Sequence, residues 1–87
     1  MSVGDIVFIN KNNDGSHNIC GANISALRIE QGLSQREFAD KLQLYGLDFT
    51  KNTIQRIESG QRFVTDIELV VLSKYFDLSA DELLKAK

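Results

Sequence analysis

Three tetrads of the form Ser/Thr-x-x-Glu occur after the first third of this chain: Ser34 to Glu37, Thr65 to Glu68 and Ser79 to Glu82. In such a box the hydroxyl accepts a backbone N–H of the first helical turn, and the glutamate reaches back to the N–H of the capping residue. Each box is flanked by an apolar pair at staple spacing, Leu33 with Phe38, Val64 with Leu69 and Leu78 with Leu83. Helix starts this closely spaced imply short helices and leave no room for a sheet among them.

Apolar spacing fills in the rest. A first helix is expected from about Ala22 to Gln31, with Ile24 and Leu27 inward and Gly32 as its stop. The second buries Phe38, Ala39 and Leu42. The third opens at Thr50, with Phe49 and Ile54 as its staple, buries Ile54 and Ile57 and stops at Gly60. The fourth starts at Thr65 and presents Leu69, Leu72 and Phe76 on one stripe, and the fifth follows Ser79. The expected fold is all-α, with five helices over residues 21–87.

Residues 1–20 differ in kind. Asp5 to Ile9 is apolar and extended in character, and Asn12-Asn13-Asp14-Gly15 separates it from Ser16 to Cys20. Asp-Gly between two such runs suggests a hairpin, but an isolated hairpin is marginal in water and needs a surface to cover. A disordered leader stands beside that reading, and a protein partner bound through this leader is a further option.

Eighty-seven residues suffice for one small helical domain. The single cysteine, Cys20, forms no disulfide within the chain, and no basic-then-apolar leader opens it, so a cytoplasmic protein is expected. The apolar run Ile6 to Ile9 falls far short of the roughly 20 residues a membrane helix needs. No glycine-rich phosphate loop, nucleophile with a base or carboxylate pair suggests catalysis. Neither a metal nor a cofactor is expected.

The formal net charge is -2, which runs against nucleic-acid binding. The charge is uneven, however. Residues 1–27 carry one Lys and two Asp, residues 28–62 six basic and five acidic groups, and residues 63–87 three and five, giving -1, +1 and -2. The only net-positive segment contains the second and third helices, and phosphate responds to local potential rather than to the total. Burying Ile54 and Ile57 turns Lys51, Asn52, Gln55 and Arg56 outward on the first turns of the third helix. Two capped helices joined by a turn, with these side chains on the second, form the layout of a helix-turn-helix DNA reader.

The same residues resemble the Cro/C1-type (XRE) helix-turn-helix family of bacterial and phage repressors across roughly residues 21–84. The resemblance rests on Leu27-Arg28, Gly32-Leu33-Ser34-Gln35, Phe38-Ala39, Leu42, the run Thr53 to Gly60, and Leu83. It implies a five-helix, lambda-repressor-like domain that docks its third helix in the major groove while the start of the second touches the backbone. It also implies twofold dimers on two half-sites. The segment Gln43 to Phe49 is about five residues longer than the tight turn of the family. A simple physical account extends the second helix through Tyr45, ends it at Gly46 and tucks Leu47 and Phe49 into the core.

Lys51, Asn52, Gln55 and Arg56 are the expected base-contacting residues. Arg can bond guanine O6 and N7 in parallel, Asn and Gln can bond adenine N6 and N7, and Lys can donate to guanine or phosphate. Gln35 and Arg36, at the first turn of the second helix, are expected on the DNA backbone, where free N–H groups already favour phosphate. Thr53 is assigned to a phosphate or a thymine methyl, and Gln61 and Arg62 to the next phosphates, with Arg62 nearly as well read as a solvated surface charge. The resemblance further implies a structural ion pair between Arg28 and Glu58.

These readings converge on sequence-specific double-stranded DNA binding by a homodimeric repressor on a pseudo-palindromic operator. Two alternatives remain: a protein-interaction module that has lost DNA binding, and the antitoxin of a toxin–antitoxin pair. Ile29 and the Ile6 to Ile9 run are candidates for self-association or for a partner.

Overall fold

The computed structural model describes residues 12 and 14–85, which form five helices and no strand. They are α1 (Gly21–Glu30), α2 (Gln35–Gln43), α3 (Lys51–Glu58), α4 (Asp66–Phe76) and α5 (Ala80–Leu84). Each start has a local chemical cause. Ser34, Thr65 and Ser79 accept the N–H of Glu37, Glu68 and Glu82, and each glutamate bonds back, closing three capping boxes. α3 has a fourth box, built on threonine alone: Thr50 accepts from Thr53 N–H, and Thr53 Oγ1 accepts from Thr50 N–H.

α1 is the exception, since Cys20 supplies no cap. Asn18 replaces it by accepting the Gly21 N–H at 2.7 Å.

Helix ends follow a second shared device. Bonds from Leu33 N–H to Arg28, Leu47 to Leu42, Gln61 to Arg56 and Leu78 to Ser73 each span five residues and close a Schellman-type turn. At the end of α2 the left-handed residue is Gly46, φ 90°. The helix proper stops at Gln43, and Leu44 to Gly46 continue as a tighter turn, two residues short of the expected end. Leu47 and Phe49 then enter the core as expected, and the Gln43 side chain donates to Phe49 O at 3.1 Å.

The core joins Ile24, Phe38, Ala39, Leu42, Ile54, Ile57, Leu72 and Leu83 with Cys20, Leu47 and Phe49. α2 packs on α3, α1 lies against α3 and α5, and α4 lies against α5. Leu69 and Phe76, expected inward, are only partly buried against this core. Phe76 meets the Phe38 ring with centroids 5.6 Å apart.

Asn23, which no apolar pattern marks, is buried on α1 and donates to Leu83 O and Lys85 O, both at 2.8 Å. It ties the end of α5 to α1.

Of the expected leader, the Ile6 to Ile9 arm lies outside the described residues. A turn does occur at Asp14-Gly15, where Gly15 N–H donates to Asn12 O and Asn12 N–H to Ser16 O. The stretch that follows it, Ser16 to Cys20, is not a strand. It runs as bends along the end of α3, because His17 N–H donates to Gly60 O and the Asn18 amide donates to Ile57 O and Arg62 O. Ile57 O is one of the last-turn carbonyls without an i+4 partner in the helix, and Gly60 O and Arg62 O belong to the loop that follows.

Candidate nucleic-acid interface

α3 opens with its box at Thr50 and turns Ile54 and Ile57 into the core, each 1 % exposed. The helical repeat then places Lys51, Asn52, Gln55 and Arg56 on the opposite arc. All four are exposed, and among the described residues none of their side chains makes a hydrogen bond or an ion pair. The arc therefore presents two cations and two amides whose donors and acceptors are uncommitted. No carboxylate of α3 offsets them there, because Glu58, its only acid, is engaged elsewhere.

Glu58 receives the Arg28 guanidinium in a two-point contact, Nε to Oε2 at 2.6 Å and Nη2 to Oε1 at 3.0 Å, with both side chains largely buried. Arg28 also donates to Leu33 O at 2.6 Å, and the Gln35 amide donates to Glu58 Oε1 at 3.1 Å. The pair thus binds the end of α1, the start of α2 and the end of α3 to one another. Its hydrogen bond to Glu58 raises the Arg28 pKa further above the usual guanidinium value.

The start of α2 lies beside this knot. Arg36 is exposed, and the Ser34 hydroxyl takes the Glu37 N–H. The first-turn N–H groups of Gln35 and Arg36 have no partner within the helix. The Ser34 backbone and hydroxyl hold the Glu37 carboxyl below the usual carboxylate range.

The helix-turn-helix family model matches residues 24–83, which spans this whole arrangement. The chain belongs to the Cro/C1-type helix-turn-helix family. No curated protein and no solved structure matches it. Membership makes this a DNA-binding domain of the kind found in transcriptional regulators, and the family is not enzymatic. No helix among the described residues is long and apolar enough to cross a membrane.

Within this helix-turn-helix domain the remaining expected backbone-contacting residues fall into different settings. Gln61 is exposed. Thr53 is half-buried and shares its hydroxyl with the Thr50 box. Gln35 has one amide donor spent on Glu58.

Arg62 is not an uncommitted cation, although its side chain is 31 % exposed. Its guanidinium makes a two-point contact with Glu68, at 2.9 and 2.8 Å, and stands 5.3 Å from the centre of the Phe49 ring. The cause is local. The chain reverses after Gly60 and brings Arg62 over the capping glutamate of α4, which already sits at the positive end of that helix. The bonds to Arg62 hold the Glu68 carboxyl below its ordinary pKa.

One residue and one ion pair with a part in holding the site escaped the sequence reading. Asn18 bonds three backbone groups, on α1, on α3 and in the loop after α3, and fixes the end of α3. The signal for it was an Asn three residues before a helix whose own first residues lack a cap. The Glu68–Arg62 pair had no such signal, because Glu68 was already accounted for as a cap. Cys20 lies in the core, and burial pushes its thiol pKa up, against any nucleophilic role. Among the described residues no cluster of His, Cys, Asp and Glu could hold a metal ion.

Proposed function

We propose that this domain binds a specific double-stranded DNA sequence as a homodimer on a pseudo-palindromic site and represses transcription there, in the cytoplasm. The observation that carries the proposal is the outward arc of α3, where Lys51, Asn52, Gln55 and Arg56 are exposed and unspent. In this reading Arg56 pairs with guanine, Asn52 and Gln55 with adenine, and Lys51 with guanine or phosphate, each good bidentate pair giving about 1–3 kcal/mol of discrimination. Arg36 and the first-turn N–H groups of α2 hold a phosphate, with Gln35 beside them. Thr53 and Gln61 add contacts at either side. Arg62 acts indirectly, by fixing the loop after α3.

Dimerisation follows from the small number of cations. A reader with few phosphate contacts binds weakly at physiological salt, and a second half-site supplies the missing affinity.

Selection of bound duplexes from a random pool, followed by anisotropy titration against salt, tests the proposal. A defined half-site should emerge. Arg56→Ala should change the selected bases, whereas Arg36→Ala should weaken all duplexes alike and reduce the salt slope by about 1. No enrichment, together with no binding to random duplex at low salt, would reject it in favour of a protein-interaction module.

A further inference from the structure

Outward arcs of surface helices are ordinarily polar. That of α4 is not. Leu72 is buried at 1 % exposure, and the helical repeat sets Asp66, Ile67, Val70 and Lys74 on the side opposite to it. Ile67 is 73 % exposed and Val70 49 %. Asp66 and Lys74 are exposed as well, and each lies four residues from Val70, one towards either end of the helix.

We propose that two copies of this chain pair through an antiparallel contact of α4 on α4, with Val70 on the twofold axis. This deepens the homodimer reading above and rests on it. The charge order selects the arrangement. An antiparallel pair centred on Val70 lays Asp66 of each copy beside Lys74 of the other, twice over, whereas a parallel pair sets like charge on like. Ile67 and Val70 form the apolar centre, and the two ion pairs form its rim.

The contact spans about 12 Å of helix, which places it below the roughly 1,200 Å² of a standard interface. The free dimer is therefore weak, and two half-sites on one duplex strengthen it by raising the effective concentration. The face shares no residue with the α3 arc. Ile29 on α1 and Leu44 after α2 are also exposed, at 63 % and 87 %, but neither sits between opposite charges in this way.

Helices packed about 8–10 Å apart bring Cα atoms on the contact line within disulfide reach. The test therefore uses the full chain with Val70→Cys, leaving the buried Cys20 in place, under mild oxidation and without DNA. Asp40→Cys, at an exposed position on α2, serves as the control.

Val70→Cys should cross-link at least about tenfold faster than the control. Adding Asp66→Lys or Lys74→Asp should each bring the rate down towards the control, and mixing those two variants should restore it, since the mixed pair regains both attractions. Asp66→Asn and Lys74→Gln, which disturb the helix less, should lower the rate in part, and melting curves show which variants are folded. Equal rates for Val70→Cys and the control, or charge changes without effect in folded variants, would overturn the pairing. Because no DNA is present, its failure is separate from a failure of the DNA reading. Cross-linking as expected with no duplex bound would leave the pairing and remove the operator.

Discussion

α3 and α4 are built alike and present opposite surfaces. Each starts with a threonine box and ends with a five-residue Schellman bond, and each turns its inward residues, Ile54 and Ile57 or Leu72, into the same core. Outward, α3 shows Lys51, Asn52, Gln55 and Arg56, whereas α4 shows Ile67 and Val70 between Asp66 and Lys74. Caps and inward stripes are enough to hold a short helix in place. The outward arc is then free to carry a partner's chemistry, which is unspent hydrogen bonds on α3 and apolar area on α4.

The comparison breaks most readily at Glu58. Glu58→Ala leaves the largely buried Arg28 without its carboxylate and releases Gln35, and should cost about 3 kcal/mol in a denaturant melt. An equally stable variant would mean that α3 is held by its apolar contacts alone.

The two helix ends offer a sharper contrast, because α3 closes on Gly60 and α4 on Asp77, both left-handed at φ 79° and 54°. A Cβ at Gly60 would also stand 2.8 Å from the Ser16 Cβ. Gly60→Ala should therefore destabilise by about 2 kcal/mol.

Acid gives a further contrast, since α4 is tied to the loop before it by a carboxylate that titrates below its ordinary value of 4.5. Glu68 binds its proton more weakly when folded, so its stabilisation is present above that value and is lost as pH falls through the lowered one. Glu68→Gln should be less stable at neutral pH and should show a shallower loss in acid, measured by melts across pH 2 to about 7.

Smallest, and opposite in sign to Gly60→Ala, Asp77→Gly should stabilise by about 0.5 kcal/mol, as relief of the left-handed strain slightly exceeds the entropy added to the unfolded chain.

The helices, three of the four boxes and most of the core were legible in the sequence because each rests on residues within a turn or two of one another. The α3 box was half-legible: Thr50 was read as the cap, but Thr53 standing in for the usual Glu concealed the reciprocal bond. Side chains whose partners lie far along the chain were hidden. Asn18 bonds Ile57 and Arg62, and Asn23 bonds Leu83 and Lys85, and nothing local marks those distant partners. The Arg62 pair with Glu68, only six residues on, was hidden for another reason: that carboxylate belongs to the next helix and was already read as its cap. Of the expected interface, the exposed arc of α3 followed from its helical repeat alone, whereas the amide contact that draws Gln35 to Glu58 needed the packing of α2 on α3.

The central claim is that the α3 arc reads bases, and competition between duplexes tests it most directly. For a half-site selected by the native chain, the ratio of its affinity to that of random duplex should fall by about tenfold or more in Arg56→Ala and in Asn52→Ala, with folding intact. An unchanged ratio in both variants would contradict the account.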